Sequence, residues 1–223
     1  MSSSDSVIRI AIDGPSGAGK STIAKAVAAK LGVEYVDTGA MYRAVGYKMK
    51  REGIDPRDGK RLEAALADTD IDFQNGVICL DGEDVSGRIR TPEISEAASV
   101  YSAIPAVREK LVRAQREIGH RRSVVMDGRD IGTNVFPDAQ FKFYLTADAE
   151  ERARRRFLEL QEKGGTETME QVLEDIRQRD YNDTHRELNP LRKAEDAIEV
   201  DSTDMSPQEV IDAIYRRIKD GQN

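Results

Sequence analysis

The 223-residue sequence holds a single cysteine, Cys79, which excludes an intrachain disulfide framework and a multi-cysteine zinc site. Apolar runs are short. None approaches the roughly 18 residues of a spanning helix, and Met1–Ser6 has neither the basic flank nor the apolar stretch of a secretory leader. Internal repeats, low-complexity tracts and Pro- or Gly-rich linkers are missing too. These absences lead us to expect a cytoplasmic chain with no membrane partner. Basic charge is also in deficit: 34 Lys plus Arg against 41 Asp plus Glu leave a net charge of −7. That balance argues against broad nucleic-acid binding, although a local basic patch remains compatible with it.

What is present points to one compact domain, or one domain carrying a small insertion. Hydrophobic residues make up 39% and charged residues 34%, a balance unlike that of disordered or membrane chains. Short β-rich runs alternate with amphipathic helical patterns, which reads as a parallel sheet flanked by helices. Strands are expected at Val7–Ile12, about Val33–Val36, Ser123–Met126, Phe141–Leu145 and Ala197–Val200. The first helix runs to about Leu31 and is closed by Gly32. The last begins with Ser206 as N-cap, Pro207 in its first turn and Glu209 three residues after the cap. Val210, Ile211, Ile214, Tyr215 and Ile218 then form one apolar stripe. Between Asp70 and Arg90 the alternation breaks. Ile71–Phe73 and Val77–Leu80 flank Gln74-Asn75-Gly76, and Asp81-Gly82 follows, the turn chemistry of an inserted antiparallel meander. Cys79 reads there as a small buried apolar residue. Val107, Leu111, Ala114 and Ile118 mark a helix returning to the sheet.

Gly14-Pro15-Ser16-Gly17-Ala18-Gly19-Lys20-Ser21 satisfies G-x-x-x-x-G-K-[ST] in full, between an apolar strand and a helix. Glycines let successive backbone N–H groups turn inward onto phosphate oxygens, and the helix N-terminus adds a favourable partial charge. Lys20 suits the β- and γ-phosphates and the Ser21 hydroxyl suits Mg²⁺. A nucleoside triphosphate is therefore the expected ligand. The acceptor stays open at this point.

Basic residues divide into 23 Arg and 11 Lys. Arginine's planar fork matches phosphate oxygens two at a time, while codon composition is the competing explanation. Three segments sit where strand ends should converge. In Asp37-Thr38-Gly39-Ala40-Met41-Tyr42-Arg43, Thr38 and Arg43 are placed to grip a polar group; a capped helix start with a solvated Arg is the alternative. In Asp127-Gly128-Arg129-Asp130-Ile131-Gly132, Arg129 and Asp130 would lie beside the glycine loop if their strand adjoins the first; a simple turn is the alternative. In Arg177–Arg186, Arg179, Asp183 and Arg186 fall on one helical face, as would a solvated salt-bridge ladder. Arg152, Arg154, Arg155 and Arg156 crowd within five positions and call for an anionic partner, with an RNA patch the lesser version. No N-K-x-D guanine-reading motif is present to favour a nucleotide switch, and a motor would call for a longer chain with an acidic pair ending a strand. Another small-substrate kinase, using UMP or a sugar acid, remains open on these residues alone.

Together, GPSGAGKS, DTGAMYR, EAASVYSAIPAVRE, DGRDIGT and RDYNDTHR resemble the bacterial cytidylate kinase family, continuously from about Ile8 to Ile218. The resemblance implies an α/β P-loop nucleoside-monophosphate-kinase fold with a five-stranded parallel sheet, a small antiparallel β insert and a short lid. It implies one domain over 1–223, with a core at about 7–66 and 105–218, an acceptor-binding insert at about 67–104 and a lid at about 154–166. The implied reaction moves the γ-phosphoryl of ATP to CMP or dCMP with Mg²⁺, in a monomer with no nucleic-acid partner. Gly14, Pro15, Ser16, Gly17, Ala18, Gly19, Lys20, Ser21, Thr22 and Arg155 are then expected to serve ATP. Ser21 is the expected metal ligand, although the adjacent Thr22 is a second hydroxyl. Thr38, Ser99, Arg108 and Asp130 would contact cytosine, Arg179 and Asp183 the pentose, and Arg43, Arg129 and Arg186 the phosphates. Lys20, Arg129, Arg155 and Arg186 are the expected catalytic set.

Overall fold

The computed structural model describes residues 7–221 apart from Asn75 and Lys163. The expected leaderless start at Met1–Ser6 and Asn75 of the expected hairpin turn lie outside the described residues. The chain opens with β1 (Arg9–Asp13), α1 (Lys20–Leu31), β2 (Glu34–Asp37), α2 (Thr38–Arg51) and α3 (Gly59–Ala67). There follow β3 (Ile71–Gln74), β4 (Val77–Leu80), β5 (Glu83–Asp84), α4 (Pro92–Ser102) and α5 (Pro105–Arg121). The remainder is β6 (Val124–Gly128), a π-helical turn at Ile131–Val135, β7 (Phe141–Thr146), α6 (Ala149–Glu162), α7 (Met169–His185), β8 (Ile198–Asp201) and α8 (Pro207–Asp220).

A five-stranded sheet has the order β2-β6-β1-β7-β8, and β1 pairs in parallel with β6 and β7. A separate three-stranded sheet, β3-β4-β5, is antiparallel as the turn chemistry predicts. The chain divides into two compact units. One holds the residues up to Tyr35 with those from Ser123 onward, and the other holds Val36–Arg122. The small sheet belongs to the second unit.

In the first unit, β1 and β6 carry uninterrupted apolar runs because both faces of the sheet are covered. Ile10, Ile12 and Val125 join Phe143 and Leu145 in a core with Ile23, Ala24 and Val27 of α1. The stripe on α8 enters the same core: Val210, Ile214 and Ile218 are buried, while Ile211 and Tyr215 are partly buried at its edge. Each such aliphatic side chain contributes about 1.5–3 kcal/mol by leaving water. Both reciprocal bonds of the Ser206–Glu209 capping box form at the start of α8. Gly32 closes α1 at φ 69°.

Strand limits differ from the expected ones by one or two residues. β1 extends to Asp13 because Asp13 stands in register with Gly128 of β6, whereas Ile8 donates its N–H to the Ser123 hydroxyl. Apolar content marks the middle of a strand; its neighbours' hydrogen-bond ladders mark the ends.

The sheet also dictates the entry to the glycine loop. Gly14 has φ 152°, and a Cβ there would stand 2.0 Å from the carbonyl oxygen of Leu145. Only glycine fits. Among the described residues, no helix is long and apolar enough to cross a membrane.

Candidate active site

The sheet order fulfils the condition set by the sequence, since β6 adjoins β1. The end of β6 therefore lies next to the glycine loop. Lys20 opens α1, is buried, and folds its ammonium back to donate to the Pro15 carbonyl at 2.7 Å. Burial, reinforced by the Arg129 cation, holds the Lys20 pKa well below the ordinary lysine range. A phosphate placed against Lys20 would favour its charged form.

Ser21 donates its hydroxyl to Asp127 at 2.9 Å, and the Tyr35 hydroxyl donates to the other oxygen of the same carboxylate at 2.9 Å. This hydroxyl and carboxylate, both hard oxygen donors beside the phosphate loop, fit Mg²⁺. That ion is usually held by one or two protein oxygens, with water and phosphates completing its shell. Among the described residues, no cluster of three or more His, Cys, Asp or Glu side chains is arranged for a metal.

Beyond β6 the chain turns through Arg129 and Asp130 into the π-helical turn. Arg129 donates its Nε to Asp183 of α7 at 2.6 Å. Burial opposes the Arg129 charge, but Asp183 outweighs it and keeps the guanidinium more firmly protonated than usual. Asp130 is buried and accepts from Arg186 at 3.1 Å and from the Asn134 amide at 3.0 Å. Asp13, the last residue of β1, accepts the N–H groups of Ile131 and Gly132 at 2.8 and 2.7 Å. Its pKa is pushed up to about 6, chiefly by burial, with those two N–H groups opposing the rise. The strand before the glycine loop thus anchors the segment carrying Arg129 and Asp130.

The alternative readings of these segments resolve individually. α7 ends at His185, and Arg186 is its C-cap in extended conformation, so the three-residue face predicted over 179–186 stops short of Arg186. Nor do the described residues form a ladder along the helix: Asp183 pairs with Arg129 and Arg186 with Asp130, while Arg179 is exposed. The arginine run finds its anions within the chain. Arg154 and Arg155 pair with Glu151, Arg156 pairs with Glu159, and Arg152 pairs with Asp180. Arg155 also donates to the carbonyl of Ser202, in the segment after β8, at 2.6 Å.

In the second unit, Asp37 caps α2 by accepting from Ala40 N at 2.8 Å and pairs with Arg43 at 3.0 Å. The capped-start alternative was correct about the cap, but Arg43 is not a freely solvated side chain. Its Nε is a buried donor with no hydrogen-bond partner among the described residues. Thr38, in the first turn of α2, is buried. Arg108 is buried on α5, with its guanidinium 5.6 Å from the Tyr42 ring centroid. Ser99 is exposed on α4. Cys79 is buried in the small sheet, as expected of a packing residue.

Sequence reasoning gave no site role to Asp13, Asp127, Tyr35, Arg152 and Asp180, although Arg152 stood out as part of the arginine run. Two carried a usable signal: Asp13 directly precedes the loop's first glycine, and Asp127 ends an apolar strand. The roles of the other three depend on partners more than 25 residues away.

A parallel sheet whose central strand delivers a phosphate-binding loop, with a buried lysine and converging Arg–Asp pairs, defines a P-loop phosphotransferase of the nucleoside-monophosphate-kinase fold. The model of the family described as cytidylate kinase matches residues 10–220. The chain belongs to the cytidylate kinase family. It is 53% identical over 212 residues to the cytidylate kinase of Caldanaerobacter subterraneus subsp. tengcongensis, covering 95% of each chain. It is 53% identical over 211 residues to that of Caldicellulosiruptor bescii, covering 93% of each. A crystal structure of an uncharacterized protein from Eubacterium ventriosum superposes with a TM-score of 0.52 at 12% identity, covering 95% of this chain and 98% of that one, a likeness of fold alone.

Proposed function

We infer that the protein transfers the γ-phosphoryl group of ATP to CMP or dCMP, yielding ADP and CDP or dCDP. The observation that carries this reading is the family match over residues 10–220 of a chain whose glycine loop, Lys20 and Arg129 stand together in one unit. A phosphate oxygen of the acceptor attacks the γ-phosphorus, the bond to the β,γ-bridging oxygen breaks, and ADP leaves with that electron pair. The attacking oxygen is already anionic at neutral pH, so no strong base is required and catalysis comes from placement and charge.

ATP is assigned to Gly14, Pro15, Ser16, Gly17, Ala18, Gly19, Lys20, Ser21 and Thr22, with Arg155 as the contribution of the 154–166 lid. Lys20, Arg129, Arg155 and Arg186 are assigned to the transferring group. The acceptor is assigned to Thr38, Arg43, Ser99, Arg108, Arg129, Asp130, Arg179, Asp183 and Arg186. Within the 67–104 insert only Ser99 carries such a role. Asp130 suits cytosine because a carboxylate accepts hydrogen bonds, as cytosine's 4-amino donor requires. Uracil presents N3–H and a 4-oxo group where cytosine presents a bare N3 and a 4-amino donor. A site built on such bonds rejects the wrong base by factors of about 10⁴–10⁵.

Mg²⁺ would be held at Ser21 and Asp127, and when bound it neutralises charge on the β- and γ-phosphate oxygens. Ser21→Ala is expected to raise the half-saturating Mg²⁺ concentration about tenfold, as loss of a metal-site partner commonly does. Thr22→Ala should stay within about twofold, because Ser21 is the hydroxyl that already bonds Asp127. Titrating ADP formation with Mg²⁺ compares the two. We place the enzyme in the cytoplasm as a monomer without nucleic-acid partners, consistent with its net charge of −7.

The function is tested by ADP release from ATP with CMP, dCMP, UMP and AMP supplied in turn. Activity with CMP or dCMP well above the other two is the expected result. Preference for UMP, or hydrolysis indifferent to the acceptor, would overturn it.

A further inference from the structure

Two charged residues outside the assigned set grip the glycine loop. Arg152 of α6 is buried and donates Nε to the Ala147 carbonyl at 2.8 Å. Its Nη1 donates both to the Ser16 carbonyl at 2.8 Å and to the Asp180 carboxylate at 2.6 Å. The other oxygen of Asp180, on α7, accepts the N–H of Ser16 at 3.2 Å. The Ser16 residue is thus held through both its N–H and its C=O. The adjacent Gly17, at φ 75°, lies so close that a Cβ would stand 3.2 Å from both Arg152 Cβ and Ile176 Cδ1. The loop backbone rests directly on α6 and α7.

A carboxylate is an unexpected neighbour for a loop that cradles phosphates. Alone, Asp180 would repel them; paired with Arg152, its charge is offset. Meanwhile a glycine-rich segment loses much conformational freedom when it is ordered, and fixing one of its peptides beforehand reduces what nucleotide binding must still order.

We propose that Arg152 and Asp180 are positioning residues for the donor nucleotide, clasping Ser16 so that the glycine loop is shaped before ATP arrives. The clasp also ties the first turn of α6 and the last third of α7 to the phosphate site. This rests on the reading of the loop as the ATP site.

The test is a double-mutant cycle read as ATP affinity by calorimetry, with KM for CMP as the control. Arg152→Met strands the Asp180 carboxylate beside the cradle and is expected to weaken ATP about tenfold, with KM for CMP within about twofold. Adding Asp180→Asn removes the stranded charge and is expected to recover only the part of the loss due to it, leaving ATP about threefold weaker than wild type because Arg152 no longer holds the Ser16 carbonyl. A merely structural pair moves ATP affinity and KM for CMP together. The proposal is overturned if the double variant regains wild-type ATP affinity, or if ATP affinity and KM for CMP deteriorate together. Should Arg152→Met fail to fold, Asp180→Asn alone is expected to weaken ATP about threefold with KM for CMP unchanged, and wild-type affinity in that variant overturns the clasp. Wild-type protein that binds ATP but fails to phosphorylate CMP would sink the acceptor reading alone. The ATP-affinity cycle would still decide the clasp.

Discussion

Lys20→Met is expected to reduce kcat/KM for ATP by about 10²–10³-fold, the cost of removing one pre-placed charge that stabilises a developing anion. The side chain is well suited to this loss being specific. Its ammonium is buried, donates to Pro15 within its own loop and has a pKa depressed by burial and by Arg129. It is thus a cation held in an environment that favours its neutral form until an anion is supplied. Methionine retains the unbranched stem, so the loop should keep its shape. Steady-state kinetics alongside a thermal melt separate the two effects. A melt close to wild type with kcat/KM within fivefold would remove Lys20 from the catalytic set.

Arg129→Lys is expected to lower kcat by more than tenfold. Arg129 spends its Nε on Asp183 and places Nη1 3.4 Å from the Gly128 carbonyl. The fork lets one edge bond the protein while another faces a phosphoryl group. A lysine in that position must choose between Asp183 and the substrate. Loss of one bond between charged groups costs about 1.5–3 kcal/mol, which corresponds to about 10–150-fold in rate. Because lysine keeps the positive charge opposite Asp183, folding should survive. A kcat near wild type would show that charge alone suffices and that the fork has no role.

Legibility in the sequence followed the range of the interaction. Features set by residues within four or five positions were readable: Gly32 ending α1, the Ser206–Glu209 box opening α8, the antiparallel β3-β4 pair, and the glycine loop with its lysine. Features set by long-range pairing were readable in kind but displaced in detail. The apolar run that gives β1 stops at Ile12, yet the strand includes Asp13, because its register with β6 carries on. In the site, Arg129, Asp130, Asp183 and Arg186 were singled out as individuals, but their cross-pairing was not foreseen. Periodicity over 179–186 suggested a helical face, whereas α7 stops before Arg186, whose side chain reaches back to Asp130. Asp127 and Asp180 escaped notice, and Arg152 stood out only as one of a run of arginines, for a related reason. Each is an ordinary charged residue until the fold brings it against Ser21 or Ser16.

Gly14 carries a lesson for engineering. Its lack of a side chain is demanded by the Leu145 carbonyl of the neighbouring strand, before any nucleotide is considered. A library of loop variants screened only for soluble, folded protein should therefore reject every other residue at position 14, whereas at Gly19 a Cβ would meet nothing within 4 Å and it is the φ of 82° that disfavours other residues. Enrichment of glycine at the loop's first position reports how the strands are packed. Its enrichment at the last reports the left-handed backbone that opens α1.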